Sequence, residues 1–229
     1  MSQLLLDLQL EQSPTLDNFV AGANAELVSR LLDLGEPDNF DILYAWGPEG
    51  SGRTHLLRAA ASAAAERRPT KLVDGRAAEP DMNVPPGGLL IVDDVDALDA
   101  DAQVALFRAY NAARLVGMAV LAAGSVPPLQ LQLREDLRTR IGQSLIYEVK
   151  PLSDEEKSAA LERHALQRGM RVDPSLVNYL LRHGRRDLPS LMAVLEALDR
   201  ATLEQQRPAT LPLLKEVMQF QFDPPAEEE

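Results

Sequence analysis

Between Asp41 and Leu57 the chain reads DILYAWGPEGSGRTHLL, and Gly47, Gly52 and Thr54 stand in it at the spacing of a phosphate-binding loop. In such a loop glycines let backbone N–H groups turn inward on phosphate oxygens, and a hydroxyl ligates magnesium. Pro48, Glu49, Gly50 and Ser51 complete the turn, and His55 follows Thr54. The position that the pattern gives to lysine holds Arg53. Arginine keeps the positive charge but replaces a compact ammonium with a planar fork, so phosphate binding can survive while the tuning for hydrolysis need not. The bland reading is a glycine-rich turn of no function. A second chemical stretch is Leu89-Leu90-Ile91-Val92-Asp93-Asp94, four apolar residues ending in two acids. Asp93 is placed to hold the water shell of magnesium and Asp94 to orient an attacking water. The same two acids would also serve merely to cap the next helix.

Other candidates are weaker on pattern alone. Phe19 and Val20 either flank a base or belong to the core. Ser125, just after an apolar run, either hydrogen-bonds a γ-phosphate or sits in a simple turn. Residues 129–141 carry Arg134, Arg138 and Arg140, and Arg185 and Arg186 precede a helix from which they either reach back to phosphates or face solvent. At the N-terminus, MSQLLLDLQLE supplies an anchor glutamine and apolar side chains, Gln3, Leu4, Leu6 and Leu8, of the kind that linear peptide recognition needs. An edge strand or helix start tucked against the domain is the alternative.

The elements that must position these residues alternate. Helix is expected from about Ala23 to Leu34 and from Leu56 to Arg67. Strands are expected at Ile42–Trp46, Thr70–Val73, Leu89–Val92, Met118–Ala123 and Leu145–Val149. A helix capped by Asp99 or Asp101 runs to Leu115 and ends at Gly117. This order gives an α/β fold, a parallel sheet covered by helices with ligand at the strand carboxyl ends. From Pro151 the pattern is helical only: Ser153 with Glu156 forms a capping box, Asp173-Pro174 opens a helix, and residues 188–206 and 211–220 follow. The expected organisation is 1–17 terminal peptide and linker, 18–150 nucleotide-binding α/β domain, 151–222 small all-α domain and 223–229 acidic tail.

Composition narrows the function. The 229 residues contain no cysteine and three histidines, which excludes disulfides and thiolate metal sites and makes a zinc centre improbable. A net charge of −12 argues against a free-standing DNA binder. No basic leader or membrane-length apolar run is present, so the expected setting is cytoplasmic, with no membrane partner.

Taken together, the glycine-rich loop, the Asp93-Asp94 strand and the C-terminal helical lid resemble the AAA+ class. Within it they resemble the DnaA-type replication initiators, and most closely their Hda-like, regulatory-inactivator branch. The matching residues are Gln3-Leu4-Leu5-Leu6-Asp7-Leu8, the arginine-bearing GPEGSGRTHLL, GSVPP after the fourth strand, Asp136-Leu137-Arg138-Thr139-Arg140, PLSDEEK and the Arg186 helix. The resemblance implies bound ADP (or ATP) with Mg2+, Arg186 as a sensor of phosphate, and Gln3, Leu4, Leu6 and Leu8 docked on the β sliding clamp of DNA polymerase III. It also implies Arg140 acting in trans as an arginine finger on ATP held by DnaA, so that origins do not fire again. DNA would be met indirectly, through the clamp, and a second copy of the chain is a further expected partner. Initiators proper continue into a DNA-binding domain, whereas this sequence stops. It also has Ser125 and Val126 where many relatives carry an Asp-Arg pair. An autonomous ATPase of the helicase-loader type and a clamp-binding adaptor with an inert pocket are the alternatives.

Overall fold

The computed structural model describes residues 14–16, 19–79, 81–185 and 187–222, without the side chains of 220–222. The protein divides into two compact units. One holds Ala25–Trp46 and Arg53–Glu148 with the described residues before Gly22; the other holds Gly22–Asn24, Gly47–Gly52 and the chain from Val149 onward.

The first unit is a five-stranded parallel sheet with helices. Its elements are α1 (Ala25–Leu34), β1 (Ile42–Trp46), α2 (Arg53–Ala65), β2 (Thr70–Asp74), β3 (Leu89–Asp93), α3 (Ala100–Val116), β4 (Ala119–Gly124), α4 (Glu135–Gly142) and β5 (Leu145–Glu148). The strands lie in the order β2-β3-β4-β1-β5. Every residue of β3 and β4 is buried, as expected of central parallel strands covered on both faces, which therefore read as unbroken apolar runs. The edge strands β2 and β5 are less buried and mix polar with apolar residues. Register sets what comes next: Asp74 pairs with Asp93 and Trp46 with Gly124, so the loops after these strands leave the same end of the sheet.

Local signals account for the helix ends. Asp99 caps α3 through the Ala102 N–H, and Gly117, at φ +61°, closes it in the left-handed region that favours glycine. Two expected starts shift. The first helix opens as a 3-10 turn at Gly22–Asn24 before α1, with Gly22 at φ +48°. And α2 begins at Arg53 rather than Leu56, because the glycine-rich loop runs straight into its first turn.

The second unit is a bundle of α5 (Asp154–Gln167), α6 (Pro174–His183), α7 (Leu188–Gln205) and α8 (Leu211–Phe222). Its core is built by Leu161, Leu176, Leu180, Leu191, Leu195 and Leu213 with their neighbours. Ser153 and Glu156 form the full capping box of α5, and Asp173 and Asp187 cap α6 and α7. Asn24 and Lys150 exchange two 2.8 Å bonds, side-chain amide to backbone, which pins the 22–24 turn to the start of this stretch. No helix among the described residues is long and apolar enough to cross a membrane.

Candidate functional site

The loop Gly47–Gly52 is shaped by its glycines. Gly50 and Gly52 sit at φ +76° and +93°, where a side chain would be strained, and a Cβ on Gly47 would collide with the Val149 carbonyl. The Ser51 N–H donates to the Pro48 carbonyl at 3.2 Å, closing the turn. Pro48, Glu49 and Gly50 are exposed, whereas Ser51 is buried with its Oγ lacking a partner among the described residues.

In the first unit, Arg53, Thr54 and His55 form the opening turn of α2. The Arg53 side chain is 12 % exposed; its Nη2 lies 3.7 Å from Asp94 Oδ1, and its Nη1 is buried without a partner among the described residues. A buried donor left unpaired is rare and marks a place that expects an acceptor. Asp94 adopts the left-handed conformation, φ 46° and ψ 54°, and its Oδ2 meets Arg76 Nε at 3.0 Å. Asp93 is 8 % exposed and its Oδ1 accepts the Asp94 N–H at 2.9 Å. Thr54 is exposed. His55 lies with its ring centroid 5.5 Å from that of Phe19 and its Nε2 3.2 Å from the Thr15 carbonyl oxygen. Phe19 and Val20 are half-buried.

The loop after β4 is held by long-range bonds. Tyr44 donates its hydroxyl to the Val126 carbonyl at 2.7 Å, and the Ser125 N–H donates to Asp96 Oδ2 at 2.7 Å, leaving the Ser125 residue exposed. Gly124 makes this possible, since a Cβ there would run into the Tyr44 hydroxyl. Burial, with the Asp96 charge adding to it, pushes the Tyr44 phenol far above its ordinary range.

Arg140 belongs to a different place, an open cleft of about 760 Å³ lined by Phe107, Arg134, Asp136, Thr139, Arg140 and Gln143 among others. The three arginines of residues 129–141 are now distinguishable. Arg134 is held by both oxygens of Asp136, at 2.8 and 3.2 Å, which keeps the Asp136 carboxyl below the usual carboxylate range. Arg138 is half-buried. Arg140, on the last turn of α4, is exposed, touches Gln143 Oε1 at 3.3 Å and makes no ion pair among the described residues.

Gln3, Leu4, Leu6, Leu8, Arg186 and the acidic tail lie outside the described residues. Conversely, Arg76, Asp96 and Tyr44 were not singled out from sequence; each acts on a residue distant along the chain, and no local motif marks them. No group of three or more His, Cys, Asp or Glu disposed around a metal occurs among the described residues.

Comparison with known proteins adds two findings. Residues 154–218 match the family described as "Hda, lid domain". The fold is similar to domain III of the Thermotoga maritima replication initiation protein DnaA, at TM-score 0.73 and 18 % identity, over 92 % of this chain and 97 % of that one. It is also similar to the replication initiator DnaA bound to AMPPCP and single-stranded DNA (TM-score 0.66, 17 % identity, 84 % and 68 % covered). A point mutant of Thermotoga maritima RuvB gives 0.69, with 16 % identity over 90 % and 71 %. At such identities the likeness speaks for the fold, and the lid match speaks for residues 154–218. Residues 154–218 are thus similar to the Hda lid domain, and the chain as a whole has the fold of DnaA domain III.

Proposed function

We propose that this protein inactivates the replication initiator DnaA. Holding ADP itself and docked on the DNA-loaded β sliding clamp through Gln3, Leu4, Leu6 and Leu8, it presents Arg140 to ATP held by DnaA. Hydrolysis of that ATP then prevents re-initiation. The observation that carries the reading is the state of Arg140. An arginine finger has to reach out of its own molecule with its charge uncommitted, and Arg140 is exposed beside an open cleft with no carboxylate on it among the described residues. Its neighbour Arg134, by contrast, is committed to Asp136.

A nucleotide is supported by the unmet donors of the chain. Ser51 Oγ and Arg53 Nη1 are buried polar atoms without partners among the described residues, and the positive φ of Gly50 and Gly52 suits a loop that turns backbone N–H groups on an anion. A bound nucleotide supplies the anionic oxygens that these donors lack. The residues that would hold its phosphates are Gly47 through His55, with Ser125 and Arg186, and Phe19 and Val20 would take the base. Thr54 and Asp93 would hold magnesium, which ordinarily needs only one or two protein oxygens beside phosphate and water. The setting that follows is the cytoplasm, at the replisome.

The test is hydrolysis of DnaA-bound ATP with and without DNA-loaded clamp. The wild-type protein accelerates it only with loaded clamp. Arg140→Ala loses that acceleration, a loss on the order of 10³ for a finger acting in trans. Gln3→Ala/Leu4→Ala loses it as well, because tethering no longer raises the local concentration. If Arg140 proves dispensable, a clamp-binding adaptor replaces this reading; if DnaA-bound ATP is untouched while the chain turns over ATP alone, an autonomous ATPase does.

A further inference from the structure

We propose that Gln103 is a positioning residue for Arg140: it fastens the start of α4 to the segment after β3, so that the arginine at the far end of the helix is held at one height and one angle. The inference rests on the finger role given to Arg140 above and concerns how the chain aims it.

α4 is only eight residues long. Its buried face is Leu137 and Ile141, one turn apart, which pack into the core of the first unit. Apolar contacts of that kind hold a helix down but are non-directional, so they define its tilt weakly. The usual remedy, a capping side chain at the N-terminus, is missing, because Arg134 stands at that position and makes no capping bond. Its guanidinium is spent on Asp136 instead.

What meets the helix start comes from 31 residues earlier in the chain: Gln103 Oε1 accepts the Arg134 N–H at 3.0 Å. The other end of the same amide, Nε2, donates to the Leu98 carbonyl at 3.0 Å. With an N–H on one side and a carbonyl on the other, the planar amide fits only one way round, and its two bonds fix each other's direction. Leu98 closes the 3-10 turn Val95–Ala97 that follows Asp94. Gln103 itself stands in the first turn of α3, its N–H bonded to the carbonyl of Asp99, whose side chain caps that helix. The bracket therefore has a rigid base. Arg140 lies six residues beyond Arg134, about 9 Å along the helix at a rise of about 1.5 Å per residue. A small tilt at the fastened end becomes a shift on the order of 1 Å at the guanidinium, enough to cost a positioned group much of its effect.

The experiment measures hydrolysis of DnaA-bound ATP, with DNA-loaded clamp, at rising concentrations of the chain, which separates the maximal rate from the half-saturating concentration. Wild type is compared with Gln103→Ala, Gln103→Met, Gln103→Glu and Arg140→Ala, each shown to be folded by a cooperative urea transition. Gln103→Ala and Gln103→Met lower the maximal rate about tenfold and leave the half-saturating concentration within about twofold of wild type, since the finger is misaimed while docking is intact. Gln103→Glu, which keeps an acceptor for the Arg134 N–H, stays within about threefold of the wild-type rate. A wild-type maximal rate in Gln103→Ala and Gln103→Met overturns the proposal. So does a loss confined to the half-saturating concentration, or a Gln103→Glu rate as low as that of Gln103→Ala. An Arg140→Ala chain that accelerates hydrolysis as well as wild type overturns the finger reading itself, and the role of Gln103 with it.

Discussion

Two arginines flank the same helix, α2, and both are largely buried, yet they are opposites in their bonding. Arg68, just past its end, is 4 % exposed, and every nitrogen of its guanidinium is bonded. Nε donates to the Gly87 carbonyl, Nη2 to Gly88, and Nη1 to Leu34, Glu36 and Asn39, all at 2.7–3.0 Å. Its five partners come from two separate stretches, 34–39 and 87–88, so it staples them together without a carboxylate. Burial alone draws its pKa below that of an ordinary guanidinium. Among the described residues Arg53, at the start of the helix, has one long ion pair and a buried Nη1 with nothing to bond. A buried charge that is fully satisfied by its own chain is architecture. One left with an open donor has its free energy waiting on a ligand.

That contrast is broken or sharpened most strongly at Arg68. Arg68→Met strips the donors from five carbonyls, among them the buried Leu34 and Gly88 contacts. It is expected to cost about 3 kcal/mol or more in urea unfolding. A loss below about 1 kcal/mol would mean that water replaces the staple and the contrast is false.

Arg53→Met should do the reverse. Unfolding stability of the nucleotide-free protein stays within about 0.5 kcal/mol of wild type, because an unmet donor is removed with the charge. ADP affinity measured by calorimetry falls roughly tenfold, the loss of one charge-assisted bond. Equal damage to folding from both substitutions would make Arg53 structural too.

Tyr44→Phe offers an intermediate case, a buried donor satisfied by one carbonyl, and should cost about 1 kcal/mol at neutral pH. It carries a pH signature. Burial raises the phenols of both Tyr44 and Tyr110 well above their ordinary value near 10.0. The unfolded chain releases those protons near pH 10 while the folded chain resists. Their contribution is therefore fully present below about pH 10 and is lost as pH rises past it, by about 1.4 kcal/mol per pH unit for each phenol. Tyr44→Phe should flatten that alkaline slope, as read from urea midpoints between pH 9 and 11. The smallest effect is expected far from the arginines: Ser153→Ala removes half of a capping box, costing about 1 kcal/mol or less, with ADP affinity unchanged.

Much of this molecule was legible because its signals are local. The central strands show as apolar runs, since a strand buried on both faces has no polar side to offer, and Asp99, Ser153 and Asp173 announce the helices they cap within three residues. The glycine-rich loop is legible for the same reason, because positive φ at Gly50 and Gly52 is a demand met by residue type alone. Helix starts were less exact where a loop and a helix share residues, as at Arg53.

By itself, then, the order of residues determined the alternating α/β chain with its helical C-terminal part, the phosphate-loop pattern with arginine in place of lysine, and the two acids closing a strand. Only the tertiary structure decided which arginine is which: that Arg68 is a staple, that Arg53 keeps an open donor, that Arg134 is spent on Asp136 while Arg140 is not, and that Arg76 reaches Asp94. The physical reason is that a guanidinium's role depends on which acceptors surround it, and those acceptors come from segments that only the folded sheet brings together, such as Asp94 for Arg76 and Gly87 for Arg68.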